Sequence, residues 1–426
     1  MPPQEEPKVP VTPSKQVFLS SSEDPVIASL KQEIIISRLK DVAITAEEPK
    51  KSLITSSDDA ITPHKEAIAS VQETLQEVLT PPKEAVITSP REFKKPLALI
   101  TGSTGHLGTA FNLALPELGF DVVSIDILPS ENTTFVGSIT DRALVASIFS
   151  SYPIQHVIHT ATLHKPHIET HTMQQFVDTN ITGTLTLLEE AAKLGSQIKS
   201  FIFFSTTSAF GAALTSSPGN PAVWIDETVV PVPKNIYGAT KVAAEDMCYL
   251  VHKQTKLPVI ILRTSRFFSE EDDNEDRRNA IGDENLKVLE MSYRRVDMED
   301  IVSAALCAMN KAREIKFDKF IISAPTPFLE LPSVLAALDR NPAAVLAKYV
   351  PAVPTVFGGK GWKHLARIDR VYDSSKAVRE LGWRPKYTIY RTIDMLLRGR
   401  EWRSDLTFKV GQKGYHSVPT GVYTKG

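Results

Sequence analysis

The chain has 426 residues, a formal net charge of −2 and an apolar fraction of 42%. That is enough apolar content for a sizeable core, and so even a charge argues against a nucleic-acid surface or a polybasic membrane patch. The two cysteines, Cys248 and Cys307, sit in apolar helix-like runs, which argues against a disulfide framework and suits a reducing compartment. No apolar run reaches the length of a membrane span, and the acidic, proline-rich residues 1–6 are neither a secretory signal nor an Arg-rich transit peptide. A cytoplasmic protein with no membrane or nucleic-acid partner is the expectation.

Residues 1–95 differ from the rest. They lack glycine, tryptophan and tryptophan-sized anchors other than two phenylalanines, contain no tyrosine, and hold 11 of the 29 prolines, so they lack tight-turn residues and core volume. A disordered tail is expected there. Short helices are expected near residues 24–39 and 63–79, and residues 49–56 weakly echo residues 82–89. A partner-docking or phosphorylatable tail and a plain solvated linker both fit this composition.

The ordered part begins with an apolar strand at residues 97–101, followed by Gly102, Ser103, Thr104, Gly105, His106, Leu107 and Gly108. Glycines three apart between a strand and a helix let a backbone approach a pyrophosphate at a helix N-terminus, where amides and the helix dipole favour negative charge. The helix runs to residue 118, and residues 122–125 form a second buried strand ending in Asp126. An acidic residue about 20 positions beyond the turn reaches adenosine ribose hydroxyls and repels a 2′-phosphate, so NAD is expected over NADP. Asp126 also fits a capping role for the next loop.

Residues 155–161 read as a further strand, whose end places His159, Thr160 and Ala161 at the carboxyl edge of a parallel sheet, where ligands lie. A helix from residue 173 carries Asn180, and Leu185, Leu187 and Leu188 give it an apolar face. The strand at residues 201–204 ends in four hydroxyls, Ser205, Thr206, Thr207 and Ser208. Tyr237 and Lys241 lie four apart, on one face of a helix. A phenol is a poor base at neutral pH, a nearby ammonium favours its phenolate, and a hydroxyl can orient the substrate oxygen. That set moves an alcohol proton while a nicotinamide takes or gives a hydride.

In this order the chain resembles an extended short-chain dehydrogenase/reductase of the NAD-dependent epimerase/dehydratase group, similar to UDP-glucose/galactose 4-epimerase-like proteins. The resemblance covers residues 95–400 and rests on residues 101–108, Asp126, residues 159–161, Asn180, residues 205–211 and residues 237–241. Leu262-Arg263-Thr264, residues 294–301 and Leu381-Gly382-Trp383-Arg384-Pro385 fit it too. It implies a catalytic hydroxyl at Thr206, a base at Tyr237, an activating cation at Lys241 and a structural, cofactor-contacting amide at Asn180. Two departures stand out. The positions where sugar-nucleotide 4,6-dehydratases carry Asp and Glu are Thr207 and Ser208, so elimination lacks its acid and base. Ser138 stands where many relatives hold an adenine-contacting Asp.

On the substrate side, His164, Lys165, His167 and His171 form a loop with no acidic or cysteine partner, so no metal site is expected. His164 and Lys165 are candidate substrate contacts, with Thr207 and Ser208. Arg266, Arg294 and Arg295 are candidates for an anionic group, because guanidinium forks pair with phosphate or carboxylate. Residues 270–278 read as a charged surface loop, the glycine-rich residues 358–362 as an edge of the cleft, and residues 407–426 as an extended tail.

The expected architecture is α/β: a Rossmann doubly wound parallel sheet at residues 96–265, a smaller α/β substrate lobe at residues 266–400 exchanging segments with it, and tails at residues 1–95 and 401–426. Helices from residues 298 and 331 and a strand at residues 319–323 are placed in the lobe. The expected activity is NAD-dependent epimerisation at a secondary alcohol of a polar, nucleotide-sugar-like small molecule. Net dehydrogenation or reduction, and a non-catalytic NAD-binding scaffold, are the alternatives. The resemblance also implies a homodimer.

Overall fold

The computed structural model describes residues 93–214, 216–267, 275–411 and Lys413. The two tail helices and the internal echo expected before residue 92 lie outside the described residues. The described residues form one compact unit.

Its centre is a sheet built from β1 (Leu97–Thr101), β2 (Asp121–Asp126), β3 (Phe135–Val136), β4 (Ile154–His159) and β5 (Ser200–Thr206). Short β6 (Val223–Ile225) stands apart. β7 (Val259–Thr264) follows, then β8 (Arg266–Phe267), β9 (Arg295–Val296), β10 (Phe317–Ile322) and β11 (Arg370–Tyr372). The main sheet has seven strands in the order β10-β7-β5-β4-β1-β2-β3, and every pairing is parallel. This is the doubly wound Rossmann-type arrangement.

The sequence dictates both buried faces. In β1 every residue is buried, and alternate side chains point to opposite faces. Ala98 and Ile100 join the core under the His106–Glu117 and Met298–Ile315 helices. Leu97 and Leu99 join the core on the other side, with Val145, Leu187, Leu188 and Ala244 from three further helices. A third core, around Leu286, Met291, Phe328, Val353 and Trp402, belongs to the later part of the chain.

Three expectations change here. The Met298–Ile315 helix and β10 belong to the main sheet layer and not to the smaller lobe, because Phe317–Ile322 pairs in register with Val259–Thr264. Residues 358–360 lie inside the Val353–Lys360 helix. Thr407 to Val410 are helical, capped by the Ser404 side chain, and are not an extended tail.

The chain runs outward from β1 through β2 to β3, then crosses back to β4 beside β1. The crevice opens at the carboxyl ends of β1 and β4, where the winding reverses. Two two-stranded parallel pairs, β8 with β9 and β6 with β11, bring later segments over this crevice.

Candidate active site

A cleft of about 840 Å³ opens at this reversal. At one end Gly102, Thr104, Gly105, His106, Leu107 and Gly108 line it. Each glycine answers a different demand. Gly102 has φ +74°, and a Cβ there would stand 2.8 Å from Ala161 Cα. A Cβ on Gly108 would stand 1.9 Å from the Gly102 carbonyl oxygen, so this glycine lets the helix pack onto the turn. Gly105 alone has room, with its nearest neighbour at 3.4 Å. It leaves space on the cleft side, at the N-terminus of a 12-residue helix whose first internal bond runs from Thr109 N to Gly105 O at 2.9 Å. Leu107 N and Gly108 N precede that bond, at the helix end whose amides and dipole suit an anion.

Asp126 lines the same end. Its Oδ2 accepts from Thr104 N and Thr104 Oγ1, both at 2.9 Å, and its Oδ1 accepts from Leu128 N at 3.0 Å. A carboxylate offers roughly four acceptor sites, so capacity for ribose hydroxyls remains. Ser138, Thr160 and Ala161 also line the cleft. His106 does too, packed edge-on against Phe267, and burial pushes its imidazole down to about 4, so it is neutral at neutral pH.

His159 takes a different role from the expected one. It is buried at 1% exposure and does not line the cleft. Its Nδ1 is 2.7 Å from Thr101 Oγ1 and its Nε2 2.9 Å from Thr184 Oγ1. Thr184 gives its hydroxyl proton to the Asn180 carbonyl, so Nε2 must donate and Nδ1 must accept. Complete burial pushes its pKa well down and keeps that neutral tautomer.

Asn180 is likewise buried and outside the cleft lining. Its chain winds as a π-helix over Asp178–Thr182. Its Oδ1 accepts from Thr162 Oγ1 and Leu163 N, and its Nδ2 donates to Leu163 O and to Thr240 Oγ1. It therefore ties the cleft loop after β4 to the Ile236–Thr255 helix.

That helix starts with the Asn235 side chain capping Gly238 N, and Tyr237 in its first turn lines the cleft. Thr206, Thr207 and Ser208 line it from the end of β5, where Thr206 Oγ1 accepts from Ser208 N at 3.0 Å. A Cβ on Gly238 would stand 3.1 Å from Ser208 O, which shows how closely the two segments approach.

Lys241 lies on the Tyr237 side of the helix but does not line the cleft. Its Nζ donates to Phe204 O at 2.6 Å and lies 4.0 Å from the Phe203 ring centroid. Burial pushes it down to about 7, with Glu245 one turn on opposing that shift. Glu245 in turn accepts from Ser205 Oγ at 2.6 Å and is paired with Arg263 and Lys319.

Basic side chains are many in the lining: His164, Lys165, Arg266 and Arg294 line the cleft, joined by Arg277 and Arg370, which the motifs did not single out. Among the described lining residues Asp126 is the only carboxylate. Arg295 is the exception among the expected anion binders. It is fully buried, pairs with Glu290 at 2.7 Å and donates to Phe267 O at 2.9 Å. Residues 358–362 do not border the cleft.

This constellation fits NAD, on the Gly105 cradle and the helix amides beside Asp126. Comparison with known proteins agrees. The model of the NAD dependent epimerase/dehydratase family matches residues 98–322. UDP-glucose 4-epimerase of Erwinia amylovora is 30% identical over 164 residues, covering 35% of this chain and 46% of that protein. Uncharacterized protein y4nG of Sinorhizobium fredii is 25% identical over 360 residues, covering 76% of this chain and 83% of its own. The chain spans about half the length of the UDP-glucose 4-epimerases it matches. Among solved structures, a UDP-glucuronic acid 4-epimerase of Bacillus cereus, in complex with a UDP-sugar analogue and NAD, is 18% identical with a TM-score of 0.50. The match covers 74% of this chain and 100% of that one, and at this identity it shows the fold.

Proposed function

The chain belongs to the NAD dependent epimerase/dehydratase family, and from that premise we propose that it inverts a secondary alcohol of an anionic, nucleotide-sugar-like substrate. The carrying observation is that Thr206, Tyr237 and the glycine turn line one cleft, which Arg266, Arg277, Arg294 and Arg370 also line.

NAD, when bound, supplies a reversible hydride acceptor at its nicotinamide ring. The amides of Leu107 and Gly108 would hold the pyrophosphate at the helix N-terminus, and Asp126 would take the adenosine ribose hydroxyls and disfavour a 2′-phosphate. Thr206 Oγ1 holds the substrate hydroxyl. The Tyr237 phenolate takes its proton and later returns it to the ketone oxygen. Lys241 supports the phenolate by charge and binds the helix to the strand that carries Thr206, through its bond to Phe204 O. Asn180 fixes the same helix through Thr240. Arg266 and Arg294 take the anionic part of the substrate.

Inversion is favoured over dehydration because Thr207 and Ser208 supply no acid–base pair, and Asp126, the only carboxylate among the described lining residues, is engaged by Thr104 of the glycine turn. The test is a screen of UDP-, GDP- and dTDP-sugars and free polyols, read by nicotinamide absorbance and product stereochemistry. Epimer formed without net NADH supports the proposal. Stoichiometric NADH with every active substrate refutes it.

A further inference from the structure

Beneath the cleft lies a buried charge cluster that the proposed chemistry leaves unused. Glu245 follows Lys241 by one turn and Tyr237 by two on the Ile236–Thr255 helix, so the three share a face. Its side chain is fully buried. Oε1 accepts from Ser205 Oγ at 2.6 Å and from Arg263 Nε at 3.0 Å. Oε2 accepts from an Arg263 terminal nitrogen at 2.6 Å and from Lys319 Nζ at 2.9 Å. Sheet register builds this arrangement, because Ser205 in β5 stands opposite Arg263 in β7, and Lys319 comes from β10 beside it.

Lys241 reaches the same strand end. Its Nζ bonds Phe204 O, on the residue before Ser205. Helix and strand are therefore joined at two successive residues, Phe204 by Lys241 and Ser205 by Glu245. Lys241, Arg263 and Lys319 all interact with the one carboxylate. The three cations differ in what they can do. Arg263 cannot lose its proton. Lys319 keeps 27% of its side chain in solvent, which stabilises its charge. Lys241 is 2% exposed, and burial pushes it down to about 7. It is the cation that gives up a proton when the local anion is lost.

Neighbouring groups do not replace that anion. Burial pushes the Cys248 thiol up, so it stays neutral, and His159 from β4 is neutral too. On the adjoining Gly183–Lys193 helix Glu189 pairs with Arg142, and Glu190 with Arg142 and Lys193. Asp178 accepts from Gln174. Burial would raise the Glu245 carboxyl, but the bonds from Arg263, Lys319 and Ser205 hold it below the usual range, so it is charged at neutral pH.

We propose that Glu245 is a positioning residue for the Tyr237–Lys241 pair, which keeps Lys241 cationic at neutral pH and holds its ammonium at the end of the Thr206 strand. This rests on the reading of Tyr237 as the base. Glu245 does not line the cleft and acts through Lys241.

The test titrates Lys241 directly by nuclear magnetic resonance, in the full chain with lysine carbon-13 labelled at Cε, and assigns its signal by loss in Lys241→Met. Ordinary lysines stay charged to about pH 10, so one that titrates near neutrality stands apart. Glu245→Gln lowers the Lys241 midpoint by about one pH unit or more. Lys319→Met, which removes a cation and leaves the carboxylate, raises it. With a substrate found by the screen, Glu245→Gln lowers kcat at pH 7 about fivefold, as the charged fraction of Lys241 falls from about a half to about a tenth, and KM stays within about twofold.

A wild-type Lys241 midpoint in folded Glu245→Gln overturns the proposal, whatever the melting temperature does. A lowered midpoint with undiminished kcat overturns the positioning role. If Glu245→Gln does not fold, a midpoint that fails to rise in Lys319→Met overturns the proposal. Midpoints that move as expected while no substrate in the screen turns over refute the inversion reading instead and leave the charge-keeping role of Glu245 standing.

Discussion

Gly105 and Gly108 separate binding from folding within one turn. A Cβ on Gly108 would stand 1.9 Å from Gly102 O and 2.7 Å from both Gly102 C and Ser103 Cα. All three atoms are backbone, so relief requires the helix to move off the turn by about 1.5 Å rather than a rotamer change. Overpacking of this kind costs about 1–3 kcal/mol or more. Gly108→Ala therefore lowers the melting temperature by about 1.5–4 °C or more. Gly105 has φ −69°, an ordinary value, and its nearest neighbour would be 3.4 Å from the new methyl. Gly105→Ala therefore keeps its melting temperature within about 2 °C. The methyl enters the space assigned to the pyrophosphate, so NAD affinity falls about tenfold or more, ~1.4 kcal/mol. Differential scanning fluorimetry without NAD and calorimetric titration with NAD read the two effects. Gly105→Ala with wild-type NAD affinity would falsify the pyrophosphate placement, and Gly108→Ala with a wild-type melting temperature would contradict the steric argument.

Asp126→Ala removes the acceptor of Thr104 and Leu128 and the charge that opposes a 2′-phosphate. NAD binding weakens and the NAD/NADP affinity ratio falls, which parallel titrations check. Asn180→Ala strands the half-buried Leu163 amide and removes the bond to Thr240, so unfolding in urea shows a stability loss of about 1 kcal/mol or more. Asp300 lies buried near Asp297 and Glu299, and burial outweighs its bonds from Lys386 N and Tyr387 N and lifts it from 3.8 to about 7. Between those values the native chain keeps a proton that the unfolded chain has lost, so stability falls as pH rises, by up to about 1.4 kcal/mol per pH unit. Asp300→Asn removes that component, and an unchanged slope in denaturant titrations between about pH 4 and 7 rejects the assignment.

The glycine turn, Asp126 and Tyr237 were legible because each is a local pattern: a spacing, a strand end or a helix face. The reasons behind the glycines were less so. Spacing assigned all three to an anion, whereas Gly102 and Gly108 answer to neighbouring backbone and only Gly105 leaves open space. His159 looked like a cleft residue because it ends a strand. Its inward turn depends on Thr101 and Thr184, which are 58 and 25 residues away, so nothing local announces it. Lys241 sits where helical spacing puts it, yet Phe204 O claims its ammonium. Glu290 left a readable trace in its four-residue spacing to Arg294. Arg370 left none, since the pairing of β11 with β6 delivers it to the cleft.

On the proposed function, one alcohol is oxidised and reduced at the same carbon within this cleft. A sugar nucleotide identified by the screen, carrying deuterium at that carbon, is incubated with the protein and catalytic NAD. The expected result is an epimer that retains its deuterium, no accumulated NADH, and no turnover with Tyr237→Phe. Deuterium appearing in released NADH, with ketone as the product, contradicts it.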